Sequence, residues 1–158
     1  MKRPQFKDFR QGITVYTVHA FAPYRKGVHE KQGFSGWIEK HFVTGRPYML
    51  NKVGFAVPVK KQKRSIADGY FFLSTFNVVT PHCRPGRLKN NHGCFWTRKQ
   101  AERHLQRITS GCLTETEWQR AIDWKEFQDS MQDMQFQWES ENPREAYEQN
   151  YPEEIDYD

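Results

Sequence analysis

The sequence predicts an α+β fold: a four- to five-stranded, mostly antiparallel sheet or partly open barrel, followed by a helical hairpin and an acidic tail. Three observations predict it. Apolar residues recur with period two in several runs before Trp96, and the period changes to 3.6 after it. Periodicity then stops at Asn142-Pro143. Strands first and helices afterwards is the order of an α+β chain, whereas a parallel α/β sheet alternates them.

The elements follow in order. Over residues 13–21, Ile13, Val15, Thr17, His19 and Phe21 share one face, with Tyr16, Val18 and Ala20 on the other. Apolar residues on both faces predict a central strand. A basic loop, 22–27, leads to a second strand over 36–43, closed by Thr44-Gly45-Arg46-Pro47. Val53, Phe55, Val57 and Val59 alternate with Gly54, Ala56, Pro58 and Lys60. Pro58 has no N–H to donate, which predicts an edge position for this strand. Residues 70–79 read as one further strand and 94–96 as a short last one, separated by a long loop.

Thr97 with Gln100 forms a predicted capping box, Ala101, Leu105 and Ile108 a buried stripe, and Ser110-Gly111 a stop. Thr114 with Glu117 is a second capping box, with Leu113 and Trp118 as its hydrophobic staple. Ala121, Trp124, Phe127, Met131, Met134 and Trp138 then recur at helical spacing as far as Ser140. The predicted organisation is a basic sheet-plus-helix body over 1–112, an acidic amphipathic helix packed on it over 113–140, and an acidic, flexible tail over 141–158.

Composition sets the class. The chain has 158 residues, enough for one domain with an appendage, and only 37% are apolar. Mean hydropathy is −0.92. The core must therefore draw on the aromatics, 12 Phe, 7 Tyr and 5 Trp, each of which buries more apolar area than an aliphatic residue. No apolar run is long enough to span a bilayer, and the charged start, Met1 to Lys7, is followed by no apolar segment of a signal peptide. Three cysteines, an odd count, predict a reducing, cytoplasmic setting and no disulfide framework.

Charge is split along the chain. Residues 1–112 hold 21 Lys and Arg against 5 acids, a net of +16. Residues 113–158 hold 3 against 14, a net of −11. Such asymmetry points to nucleic-acid or membrane contact combined with an acidic tail. The basic candidates are Lys60, Lys61, Lys63 and Arg64 after the third strand; Arg84, Arg87 and Lys89 in the long loop; and Lys99, Arg103 and Arg107, a stripe along the first helix. Cations at these places would neutralise phosphates and release condensed counterions. The loop aromatics Tyr24, Tyr48 and Phe34 are candidates for stacking on unpaired bases. A helix-turn-helix reading fails on charge, because residues 115–140 carry seven acids against two bases and would be repelled from a groove.

Two other chemistries have less support. His82, Cys83, His92 and Cys94 offer thiolates and imidazoles, but their spacing matches no paired zinc knuckle. The expectation is no metal and no cofactor. The five acids of the basic half stand singly, no glycine-rich phosphate loop is present, and combinations such as Glu39 with His41 arise freely in a chain of six histidines. The expectation is no catalysis.

The acidic segment alternates Glu139, Glu141, Glu145, Glu148, Glu153, Glu154, Asp156 and Asp158 with Tyr147, Tyr151, Ile155 and Tyr157. Spaced carboxylates with aromatics imitate a phosphate backbone with its bases. A basic body with an acidic aromatic tail is similar, in plan and in no motif, to phage-type single-stranded-DNA-binding proteins. This chain departs from that plan in lacking a Gly/Ser linker and in placing a long helix between body and tail. The function expected is non-enzymatic nucleic-acid binding by backbone contact and stacking, with the acidic segment competing for the same surface. The alternative is an inhibitor or adaptor of phage or plasmid type. It would dock on a nucleic-acid-handling protein through Glu141, Glu145, Glu148, Glu153, Glu154, Asp156, Tyr157 and Asp158. No membrane partner is expected.

Overall fold

A computed structural model describes residues 2–22, 33–62, 69–81 and 90–150. Its strands are β1 (Thr14–Phe21), β2 (Ser35–Val43), β3 (Tyr48–Leu50), β4 (Gly54–Lys60), β5 (Gly69–Phe72) and β6 (Gly93–Phe95). All the pairings are antiparallel, in the order β3-β4-β2-β1-β6, with β5 also paired to β4. The sheet curls into a half-barrel. The helices α1 (Arg98–Thr109), α2 (Glu115–Glu141) and α3 (Pro143–Asn150) follow. The predicted α+β order is the observed one.

Alternation along the strands separates two cores. Val15, Val43, Val57, Val59 and Phe71 point into the half-barrel, where Phe9 from the N-terminal segment and Leu73 and Phe76 close over them. Val18, Ala20 and Phe95 point outward against Ala101 and Ile108 of α1 and Ala121 of α2. Both faces of β1 are thus covered, as a central strand requires. Phe34, expected in a loop for stacking, is buried in the outer core.

Three local expectations are corrected. Pro58 does not sit on an edge: β4 pairs with β5 on one side and with both β2 and β3 on the other. Proline is tolerated because it falls at the break between β2 and β3. Its carbonyl accepts from Thr44 N–H at 2.9 Å, and the return bond, which a proline cannot donate, is the one the break leaves out. Tyr48 lies on the short strand β3, opposite Ala56, not in a loop. The run 70–79 is not one strand. It leaves β5 at Leu73 for a 3-10 turn, Leu73–Phe76, and Asn77 takes φ +60. Asn77 is suited to that left-handed position, and its Nδ2 donates to Asn90 Oδ1 at 3.0 Å and to His92 O at 2.7 Å.

Thr97 Oγ1 accepts from Gln100 N–H at 3.2 Å, although the reciprocal half of that box is not made and Gln100 Oε1 is buried with no partner among the described residues. Gly111, at φ +84, ends α1 with two bonds, Cys112 N–H to Arg107 O and Gly111 N–H to Ile108 O, the double closure of a Schellman turn. Both halves of the Thr114–Glu117 box are present. Ala121 joins the outer core, while Trp124, Met131 and Met134 further along the expected stripe are exposed. Residues 143–150, read as aperiodic, form α3. Proline suits the first helical position, where no N–H is needed, and Ala146 N–H closes onto Asn142 O at 3.0 Å.

Candidate binding cleft in the half-barrel

Register brings a polar group onto the inner face of the sheet. Thr17 lies opposite Glu39, Val15 opposite His41, and His19 opposite Trp37. Residues directly opposite share a face in an antiparallel pair, so these side chains stand together beyond the inner core. Thr17 Oγ1 and His41 Nε2 are 2.9 Å apart. Glu39 Oε2 lies 3.5 Å from His41 Nε2 and 3.8 Å from His19 Nε2, while Trp37 Nε1 donates to Glu39 Oε1 at 3.2 Å. The carboxylate is the hub of the cluster.

Burial falls off along it. The His41 side chain is 7% exposed and the His19 side chain 20%, whereas Trp37 is 48% exposed and Phe21 42%. Burial holds His41 down at about 4, against the pull of Glu39 and with help from the charges of His19 and Lys61. His19 is lowered for the same reason, burial outweighing Glu39. Both rings are neutral at neutral pH. His19 stacks on Trp37 with centroids 4.7 Å apart and planes 15° apart, and Phe21 follows at 5.2 Å from Trp37. Beside this row opens a cleft of about 470 Å³ lined by His19, Glu39, His41, Lys60, Lys61 and Phe76 among others. The Lys61 cation, close enough to act on His41, a buried polar floor and a row of exposed rings therefore lie together on the inner side of the half-barrel.

The residues expected to bind nucleic acid are distributed as follows. Lys60 and Lys61 border this cleft, but Lys60 stands opposite Phe42 and so directs its side chain to the outer face, leaving Lys61 as the cation beside His41. Lys99 and Arg103 are exposed on α1, which packs on the outer face of the sheet. Arg107 is engaged in a two-pronged pair with Glu117, Nη2 to Oε2 at 2.7 Å and Nη1 to Oε1. Tyr24, Lys63, Arg64, Arg84, Arg87 and Lys89 lie outside the described residues. In the acidic segment, Glu141 ends α2, Glu145 is exposed, and Glu148 pairs with Arg144 at 3.2 Å. Glu153, Glu154, Asp156, Tyr157 and Asp158 lie outside the described residues.

Of the metal candidates, His82 and Cys83 are also outside them. His92 Nδ1 accepts from Ala20 N–H at 2.9 Å, and burial lowers its pKa to about 4. Burial pushes the Cys94 thiol up to about 12, so it is not a thiolate at neutral pH. Among the described residues no group of three His, Cys, Asp or Glu is placed to hold a metal ion, and no helix is long and apolar enough to cross a membrane.

Sequence reading did not single out His19, Trp37 or Phe21. The signal was present as alternation: His19 and Phe21 share a face of one strand, Trp37, Glu39 and His41 a face of the next. Only the register, which sequence does not give, joins the two sets.

Residues 3–108 match the model of the family described as Phage g100-like protein. No curated protein and no solved structure matches the chain. The matched segment contains the whole sheet and nearly all of α1.

Proposed function

This chain belongs to the Phage g100-like protein family, and from that premise we propose that it is a non-enzymatic phage-type accessory protein that binds single-stranded nucleic acid in the half-barrel cleft. The observation that carries the reading is the pairing of exposed rings with a cation. Trp37 and Phe21 present stacking surfaces, and Lys61 stands at the cleft beside them. Unpaired bases stack on such rings whatever their sequence, and lysines track the phosphates between them. A duplex hides its base faces, so a single strand is the better occupant. Lys99 and Arg103 form a separate positive face on α1, which this reading does not use.

The test is equilibrium binding of labelled single-stranded oligonucleotides across a salt series. Trp37→Ala should weaken binding roughly five- to hundredfold, the range of one lost stacking contact. Lys61→Gln should make the slope of log affinity against log salt shallower by about 0.7, one phosphate contact. Absence of binding at low salt, or indifference to both changes, overturns the proposal. A second reading, an adaptor that docks through α2, is favoured by one observation. Met131, Met134 and Phe136 are exposed on an acidic helix. That reading requires a protein partner retained after nuclease treatment and lost when α2 is altered at these three residues.

A further inference from the structure

Two stripes diverge along α2. The buried one, Glu117, Ala121 and Lys125, steps by four residues and fastens the start of the helix to the body, with Ala121 in the outer core. The other steps alternately by three and four: Trp124, Phe127, Met131, Met134 and Trp138. At 3.6 residues per turn these five fall within roughly a quarter of the circumference. Continued by fours, the buried stripe runs on into Asp129 and Asp133, on the side of the helix roughly opposite the second stripe.

No residue of α2 beyond Lys125 is buried, so the helix runs about 24 Å past its last buried side chain. Trp124, Phe127, Met131 and Met134 are exposed and Trp138 is half-buried. The Trp124 and Phe127 rings stack with centroids 5.6 Å apart and planes 25° apart, which makes that end of the stripe one flat apolar surface. Helices in proteins owe most of their stability to packing an amphipathic face.

Alternation of three and four is the heptad spacing of a coiled-coil seam, and the positions that flank such a seam set the choice of partner through their charges. Between Trp124 and Trp138 those positions are Gln128, Ser130, Gln135 and Gln137, all uncharged. Glu126, Asp129 and Asp133 lie off the seam and its margins. Gln135 Nε2 donates to Glu139 Oε1 at 2.9 Å, which holds that carboxylate along its own helix. An acidic helix with a neutral seam can meet its own copy without opposing like charges, whereas a basic partner would find no carboxylate at the margins. Arg120 and Glu141 continue the same spacing at the two ends. Antiparallel pairing of two copies brings the arginine end of one to the glutamate end of the other, while parallel pairing sets like charges together at both ends.

We propose that this stripe is the seam of an antiparallel homodimer, α2 packing against α2 of a second copy. The contact is two-fold and self-complementary, so it closes at two chains. It does not depend on strand binding, and it gives the stripe a different occupant from the adaptor reading.

The test is sedimentation equilibrium of the full chain from about 1 to 300 μM, with far-ultraviolet circular dichroism as the folding control. The wild-type chain should move from 18.9 kDa towards twice that mass. Met131→Glu, which buries a charge at the middle of the seam, should weaken association roughly tenfold or more, and Phe136→Gln, on another face of the same helix, should leave it unchanged. Gln128→Glu with Gln135→Lys should strengthen it, because the two positions straddle the centre and each new acid then faces the new base of the other copy. Failure to strengthen overturns the antiparallel order. A chain monomeric across the range overturns the dimer, as does association that survives Met131→Glu or falls equally in Phe136→Gln. A monomer that retains a different protein through Met131 and Met134 overturns it in favour of the adaptor reading. A dimer that binds no oligonucleotide upholds it and overturns strand binding.

Discussion

Arg107 and Glu117 clamp the end of α1 to the start of α2. The guanidinium holds both carboxylate oxygens, and the same Glu117 carboxylate accepts Thr114 N–H at 2.9 Å in the capping box. Arg107 also reaches His104 Nδ1 at 3.3 Å, His104 Nε2 meets Asn91 O at 2.9 Å, and Asn91 returns to Glu117 O. The ring of bonds ties α1, α2 and the loop before β6 together.

Glu117 gives the first prediction. Burial by itself would raise its carboxyl, but hydrogen bonds from Arg107 and Thr114 outweigh burial and hold it at about 2. A folded value below the unfolded one means that this stability is fully present above about 4.5 and is lost as pH falls towards 2. Glu117→Gln should cost roughly 2–3 kcal/mol at pH 7, the scale of hydrogen bonds to a charged group. Urea titrations should show the gap between variant and wild type closing between pH 4.5 and 2. A constant gap across that range contradicts the assignment.

Histidine sets a different window. His41, faced by Glu39, His19 and Lys61, is held at about 4, below the 6.5 of the unfolded chain. The unfolded state therefore takes up the proton first, and stability present above pH 6.5 is lost as pH falls to 4. For His41 alone the loss is on the order of 3 kcal/mol. His41→Gln, which keeps a polar partner for Thr17, should flatten the profile between pH 6.5 and 4. An unaltered profile would move the effect elsewhere.

Gly36 is a steric prediction. It lies opposite Ala20 in the β1–β2 ladder, and an added Cβ would stand 1.9 Å from His19 O and 2.9 Å from a Leu105 methyl. Backbone cannot yield to that contact as a flexible side chain can. Gly36→Ala should cost about 3 kcal/mol or more, at the upper end of overpacking, while Gly54→Ala, with space around it, should be mild. Chemical denaturation of the two variants decides the matter.

The acidic end should compete with polyanions for the basic body. Truncation before Glu141 removes seven acids and one arginine, taking the formal charge from +5 to +11. Oligonucleotide binding should tighten, most at low ionic strength, where charges act over a longer Debye length. Equal affinities for the two forms in 20 mM salt, roughly a 20 Å screening length, would remove the tail from the binding equilibrium.

Helix boundaries were legible because their signals are local. Thr114, Glu117 and Gly111 act within one turn, and each did what its chemistry dictates. Strand positions are legible from alternation, but their partners are not: proline chemistry alone places Pro58 on an edge, because the break opposite it is a property of two other strands. The run to Val79 looks like one strand because its apolar content conceals a turn set by Asn77 and its bonds to residues 90 and 92. Arg107 illustrates the same limit. Its place on the helix stripe is a matter of spacing, whereas its partner lies ten residues away on another helix.

The break opposite Pro58 has a geometric consequence. Between the pairs Val43–Val59 and Tyr48–Ala56, one side of the ladder advances five residues while the other advances three. The surplus of two is even, so every side chain keeps its face, but the longer rim has to bow around the shorter one, as at a bulge. Residues 44–47 thus act as a curvature spacer for the half-barrel. Shortening that spacer by two residues would preserve inside and outside yet straighten the rim and flatten the trough, whereas removing one would turn β3 inside out.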